Sequence, residues 1–179
     1  MDTFLLIFLT TILVLAAVND LRFQKIPNLL TFTTMALGLG YHGAMGGLDG
    51  LFFSAGGLVL GMAILILPYI MGGMGAGDAK LMGAVGAILG PWGVFIAFLF
   101  TAIVGGVYAL IILLINTEYS KALIKRSRTM LKTLIVTGQF IPIPAGENEN
   151  KPKLCYGIAI AGGTLLSVFL ELLGQNFVI

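Results

Sequence analysis

Long apolar runs recur along this chain, at roughly residues 3–19, 28–42, 50–71, 79–90, 93–115 and 154–173. A helix needs about 20 residues to cross a hydrocarbon core about 30 Å thick. The runs therefore predict an all-α, polytopic membrane protein with six transmembrane helices, built as one domain over residues 1–179. Little sequence is left for a separate soluble domain. With 58% hydrophobic and 10% charged residues and a mean hydropathy of +1.03, the chain departs far from an ordinary soluble domain, in which about a quarter of residues are charged. The runs at 28–42 and 79–90 are short, so neighbouring helices are expected to shield them. The boundary at Gly90-Pro91-Trp92-Gly93 reads as a Gly/Pro turn with an interfacial tryptophan.

The charges fix an orientation. All 10 lysines and arginines fall on one side of a six-span map: Arg22 and Lys25, then Lys80, then the residues from Lys121 to Lys153. By the positive-inside rule that side is cytoplasmic and both termini lie outside, where Asp2, Asp49 and Glu171 are the only charges. A secretory signal peptide over residues 1–19 is the competing reading, but its opening segment lacks Lys and Arg. Between the fifth and sixth runs, residues 116–153 form a cytoplasmic basic loop. Its first part spaces cations at helical intervals and reads as an amphipathic helix on anionic lipid or, alternatively, a substrate-docking element; "IPIPAGENENKP" follows as a polar loop.

Two carboxylates stand out on this map. Asp20 ends the first run and Asp78 opens the fourth, so both lie at the cytoplasmic face and can meet across the fold. Two such groups in a water-accessible, low-dielectric pocket titrate as a pair. An ionised member can take a proton from water while its protonated partner donates to a scissile carbonyl. Other nucleophile sets are poor: His42 is the one histidine and falls on the outer side, leaving Cys155 without a base. A single cysteine also offers no intrachain disulfide and no Cys-rich zinc site, and no metal or cofactor is expected.

The residues around these acids admit more than one role. In "GGMGAGD", Gly72, Gly73, Gly75 and Gly77 permit unusual dihedrals and close approach of another chain, as an extended substrate requires. Equally, Asp78 can be a helix N-cap, and Gly73 with Gly77 a small-xxx-small packing pair. Lys80 reads as a positive-inside anchor rather than a catalytic group. A phosphate-binding loop is excluded because no Gly-Lys-Ser/Thr follows. Pro27 fits the first turn of the second helix and drives Ile26 toward an extended conformation, making the link after Asp20 short and stiff. Asn28 either caps that helix or orients a carboxylate.

"DLRFQKIPN" (Asp20 to Asn28) and "GAGDAK" (Gly75 to Lys80) resemble the Asp-x5-Ile-Pro-Asn and Gly-x-Gly-Asp-x-Lys signatures of type IV prepilin peptidases, the bacterial and archaeal Gly-x-Gly-Asp aspartic membrane proteases. The resemblance implies that Asp20 and Asp78 are the catalytic pair, supported by Gly75, Gly77, Lys80, Pro27 and Asn28. It also implies removal of short basic leader peptides from prepilin-like proteins at the cytoplasmic face of a bacterial inner membrane or an archaeal cell membrane. Larger members carry a Cys-x-x-Cys insertion and methylate the new N-terminus; here the first link is short and there is one cysteine, so peptidase activity without methylation is expected. The compact form looks more like the peptidases of tight-adherence (Flp) pili or archaeal preflagellin peptidases. "KPKLCYGIAIAGG" resembles a Pro-Tyr-Gly-x-Ala-Ile segment of the small bacterial members, with Cys155 in place of Pro.

Expected partners are prepilin-like substrates and, at the basic loop, anionic lipid, with no nucleic acid. Like charge disfavours that loop as the site for a basic leader. A cation or proton transporter using the same acids is the alternative from another class, but the span interiors offer only scattered Thr and Ser as a polar path. A non-catalytic assembly subunit would bind a leader and leave it uncut. The glycine faces at Gly83, Gly86 and Gly90 serve internal packing or a dimer equally well, leaving the oligomeric state open.

Overall fold

A computed structural model describes residues 2–137 and 155–174, and every regular element among them is an α-helix. These are α1 (Thr3–Phe23), α2 (Asn28–Ile70), α3 (Ala76–Ile115), α4 (Thr117–Thr137) and α5 (Tyr156–Leu172). In hydrocarbon only structures that satisfy their own backbone hydrogen bonds are tolerated, which is why apolar runs of this length resolve as helices. Of the described helices, α1, α2 and α3 are long and apolar enough to cross a membrane, while α5 is a shorter apolar helix. The polar loop "IPIPAGENENKP", Lys151 and Lys153 lie outside the described residues.

An unbroken helix of 43 residues, the length of α2, would measure about 65 Å, twice the hydrocarbon thickness. Gly47, at φ 58° and ψ −137°, breaks it, and Gly90, at φ 73°, breaks the 40-residue α3 in the same way. Both conformations lie where side chains with a Cβ are strained. The expected turn at Gly90-Pro91-Trp92-Gly93 is thus confined to one residue. Pro91 begins the second half of α3, where its missing N–H costs least. Likewise, the link expected between the second and third runs shrinks to the break at Gly47.

The chain divides into two compact units. The first comprises residues 1–105 and 155–179, and it contains the buried core. At its centre the first half of α3 is enclosed almost continuously from Leu81 to Gly90. It touches the second half of α2 through glycine: a Cβ on Gly57 would strike the carbonyl oxygen of Gly86, and one on Gly86 the carbonyl oxygen of Gly57. Gly61 meets the Met82 carbonyl in the same register, and Ser54 Oγ donates to the Ala87 carbonyl at 2.6 Å. Small residues let backbones close to van der Waals distance where lipid supplies no hydrophobic drive for association. Gly83, Gly86 and Gly90 are therefore used for internal packing. The expected Gly73–Gly77 helix-packing pair does not form, because α2 ends at Ile70 and α3 begins at Ala76, leaving Gly73 in the connection. Outward-facing Phe4, Leu29, Phe52 and Ile70 are exposed, as lipid-facing side chains should be.

The second unit, residues 106–154, holds the end of α3 and the basic helix α4. Asn116 interrupts the two helices, its side-chain amide donating to the Ile112 carbonyl at 3.0 Å. Exposed Lys121, Lys125, Arg128 and Lys132 follow one another at helical spacing along one face of α4.

Candidate active site

The last turn of α1 carries Asp20, whose side chain is buried at 6% exposure. The helix stops three residues later because Gln24 adopts the left-handed conformation (φ 51°) and returns its N–H to the Asp20 carbonyl at 2.9 Å. A non-helical Lys25-Ile26-Pro27 link then enters α2. Pro27 occupies the cap position itself (φ −60°, ψ 131°), one residue before the first turn in which it was expected, and it makes no side-chain cap bond.

Asp78 sits in the first turn of α3 at 8% exposure. Its Oδ2 accepts the N–H of Gly75 at 2.9 Å, while its own N–H donates to the Gly75 carbonyl at 3.1 Å. This is the reach-back half of a capping box, made here by an aspartate three residues into the helix. Of the four glycines before it, only Gly72 has a positive φ (73°). Gly77 serves close packing instead, since a Cβ there would stand 3.3 Å from Cβ of Ile26.

These two segments line one cleft of about 380 Å³ that contains Asp20, Pro27, Asn28, Gly75, Gly77, Asp78 and Lys80, together with Gln24 and Lys25. All seven residues singled out from the sequence therefore lie around the same space. Their contacts differ from expectation in one respect. Asn28 neither caps α2 nor touches a carboxylate: its Oδ1 accepts a hydrogen bond from Lys80 Nζ at 2.9 Å, and Lys80 also lies 5.3 Å from the centre of the Phe32 ring. Among the described residues no lysine or arginine pairs with Asp20 or Asp78, so no ion pair competes for their oxygens.

Gly157 was missed by sequence reasoning. Its N–H, at the start of α5, donates to Asp20 Oδ2 at 2.8 Å, and Cys155 Sγ lies 3.7 Å from the Asp20 carbonyl. Cys155, the residue preceding α5, makes no side-chain cap bond. The carboxylate of Asp20 thus satisfies an amide that the helix's own cap leaves open, and it lies at the positive end of the α5 dipole. Alanine at 157 would place its Cβ 2.8 Å from Asp20 Oδ2 and 3.0 Å from Asp20 Cβ. The signal that could have found it was the Tyr156-Gly157 step in the segment that resembles Pro-Tyr-Gly-x-Ala-Ile.

Helices long and apolar enough to cross a membrane, with two buried aspartates lining one cleft, define the class as a polytopic helical protein with an acidic cleft. Residues 7–110 match the model of the type IV leader peptidase family, and the chain belongs to that family. A relative from Bacillus subtilis (strain 168), described as prepilin leader peptidase/N-methyltransferase, is 30% identical over 118 residues, which cover 60% of this chain and 44% of the relative. The match thus spans less than half the length of that protein. No solved structure matches the chain.

Proposed function

We propose that this protein is an aspartic endopeptidase that removes leader peptides from prepilin-like proteins, with Asp20 and Asp78 as its catalytic pair. The observation that carries this reading is the shared cleft, in which each carboxylate accepts one backbone N–H and neither is paired with a cation among the described residues. Water positioned between the two acids gives up a proton to the ionised member as it attacks the scissile carbonyl. The protonated member donates to the carbonyl oxygen, and the roles reverse to release the amine. Backbone donors from Gly75 and Gly157 fix the direction of each carboxylate so that this exchange needs no rearrangement of the site.

In this reading the chain crosses the membrane six times, its long helices being divided at Gly47 and Gly90, with both termini outside and the cleft at the cytoplasmic face. The concentration of lysine and arginine near the cleft-side segments supports that orientation. The basic face of α4 rests on anionic lipid. The link from Phe23 to Asn28 is too short to hold an inserted domain between α1 and α2, which supports a compact peptidase that leaves the new N-terminus unmethylated, as in the small tight-adherence or archaeal members.

Co-expression with a prepilin from a pilus operon tests the proposal through the mass of the pilin. Wild type should remove the leader, without the added mass of a methyl group, whereas Asp20→Asn and Asp78→Asn should each leave it attached. Normal processing by both variants would overturn the assignment.

A further inference from the structure

A second cavity, of about 500 Å³, lies at the far end of the first unit from the carboxylate cleft. Asp2 lines it and Asp20 lines the cleft, and these two residues mark opposite ends of α1, about 27 Å apart along the axis at 1.5 Å per residue. That separation is close to the hydrocarbon thickness, so the two openings stand at opposite boundaries of the bilayer. Nothing in the proposed peptide hydrolysis uses the second one.

Its walls have a definite chemistry. Tyr41, Phe53 and Trp92 supply aromatic rings, Asp2 and Glu171 supply carboxylates, and no lysine or arginine is among the described residues that line it. The aromatic wall is ordered by its own contacts. His42 packs edge-on to Tyr41 at 5.7 Å and to Phe53 at 5.1 Å between ring centres. Its Nε2 lies 3.0 Å from the Ile88 carbonyl, which can only accept, so that nitrogen carries the proton and the ring is locked against α3. Tyr41 donates its hydroxyl to Asp2 Oδ2. Glu171, half-buried near the end of α5, has no cation beside it among the described residues.

Aromatic rings and carboxylates around one space, with no lysine or arginine among the described residues that line it, are complementary to an ammonium group. A soluble amine would find such a group equally attractive, but the rim of this cavity is apolar: Met45 and Trp92 line it and are exposed, as is neighbouring Leu48. At the bilayer boundary such a rim accommodates acyl chains. We propose that this cavity binds the ammonium headgroup of a membrane lipid, with phosphatidylethanolamine as the fitting class, and that the headgroup nitrogen sits between Glu171 and the Tyr41–Trp92 wall. This site is independent of the peptidase reading.

Native mass spectrometry of the full chain in detergent, with phosphatidylethanolamine and phosphatidylglycerol at equal concentration, tests it. Wild type should retain the ethanolamine lipid preferentially. Glu171→Gln and Trp92→Leu should each lower the ratio of the two retained lipids by about threefold to tenfold. Glu171→Gln removes the charge without changing the shape of the side chain, so its effect is read in a folded protein, and Asp78→Asn should leave the ratio unchanged. Equal retention of both lipids by wild type, or an unaltered ratio in Glu171→Gln, would overturn the proposal. Displacement of the lipid by an equal concentration of phosphoethanolamine would also overturn it, because the occupant would then be a soluble amine.

Discussion

Asp20 and Gly157, 137 positions apart in sequence, are joined by a 2.8 Å hydrogen bond from the glycine amide to the carboxylate. Gly157 itself is enclosed, with no space on the Asp20 side for a further atom. Gly157→Ala should therefore displace the carboxylate and reduce leader cleavage by about 10²-fold, as a misplacement near 1 Å does in other enzymes. Because the new methyl group is forced into a packed contact, thermal unfolding in detergent should also show a loss of about 1–3 kcal/mol. A variant with wild-type cleavage would show that Asp20 does not depend on this donor.

General acid–base groups that act as a unit are not additive. Each of Asp20→Asn and Asp78→Asn is expected to slow cleavage by about 10²–10⁴-fold, and the double substitution no further than the worse single one. A double variant slowed by the product of the two effects would mean that the acids act in separate steps. Single-turnover rates on a leader-bearing pilin measure this directly.

The two carboxylates must share one proton for the proposed exchange. Cleavage should fall on the acid side as the second member becomes protonated, and on the alkaline side as the last proton leaves the pair, giving a bell-shaped rate against pH. In Asp78→Asn any residual activity should lose one limb of that bell. A flat profile from acid to neutral pH in the wild type would count against a shared proton.

Lys80 and Asn28 hold the rim of the cleft rather than its carboxylates. Removing their bond in Asn28→Ala should change KM more than kcat, by about fivefold, the worth of roughly 1 kcal/mol. A collapse of kcat to the level of Asp78→Asn would place one of these groups in the chemistry itself.

Gly57 and Gly86 face each other where a Cβ would run into backbone, while Gly40 has nothing within 4 Å of its Cβ position. Gly57→Ala and Gly86→Ala should each lose about 1–3 kcal/mol of stability. Gly40→Ala, on an open helical surface, should be neutral or gain about 0.5–1 kcal/mol. Thermal unfolding of the three in one detergent separates packing from mere helix propensity.

Much of this architecture was readable from local sequence, for identifiable reasons. Apolar runs map onto helices because lipid admits few alternatives, and both acids were visible because a carboxylate beside such a run needs a reason to be there. The ends of the runs were less legible. The fourth run was placed from residue 79, yet α3 begins at Ala76 and includes Asp78, since polar Asp and small Gly do not register as apolar even when a helix holds them. Contacts made by backbone were illegible: the Gly157 amide that holds Asp20 has no side-chain signature. The bond between Asn28 and Lys80 spans 52 positions, and sequence reasoning read Asn28 as a cap or a carboxylate's partner and Lys80 as an anchor, without joining the two.

The break at Gly47 and the donor at Gly157 have different places in the order of synthesis. The helical hairpin around Gly47 can form as soon as its residues leave the ribosome, but Asp20 acquires its amide partner only when the chain has been made past residue 157. Until then the cleft has both of its acids and lacks one of its two backbone anchors. Ordering of the site is thus tied to the synthesis of α5, and a nascent chain stalled before that helix would hold both acids with the Asp20 carboxylate still unset.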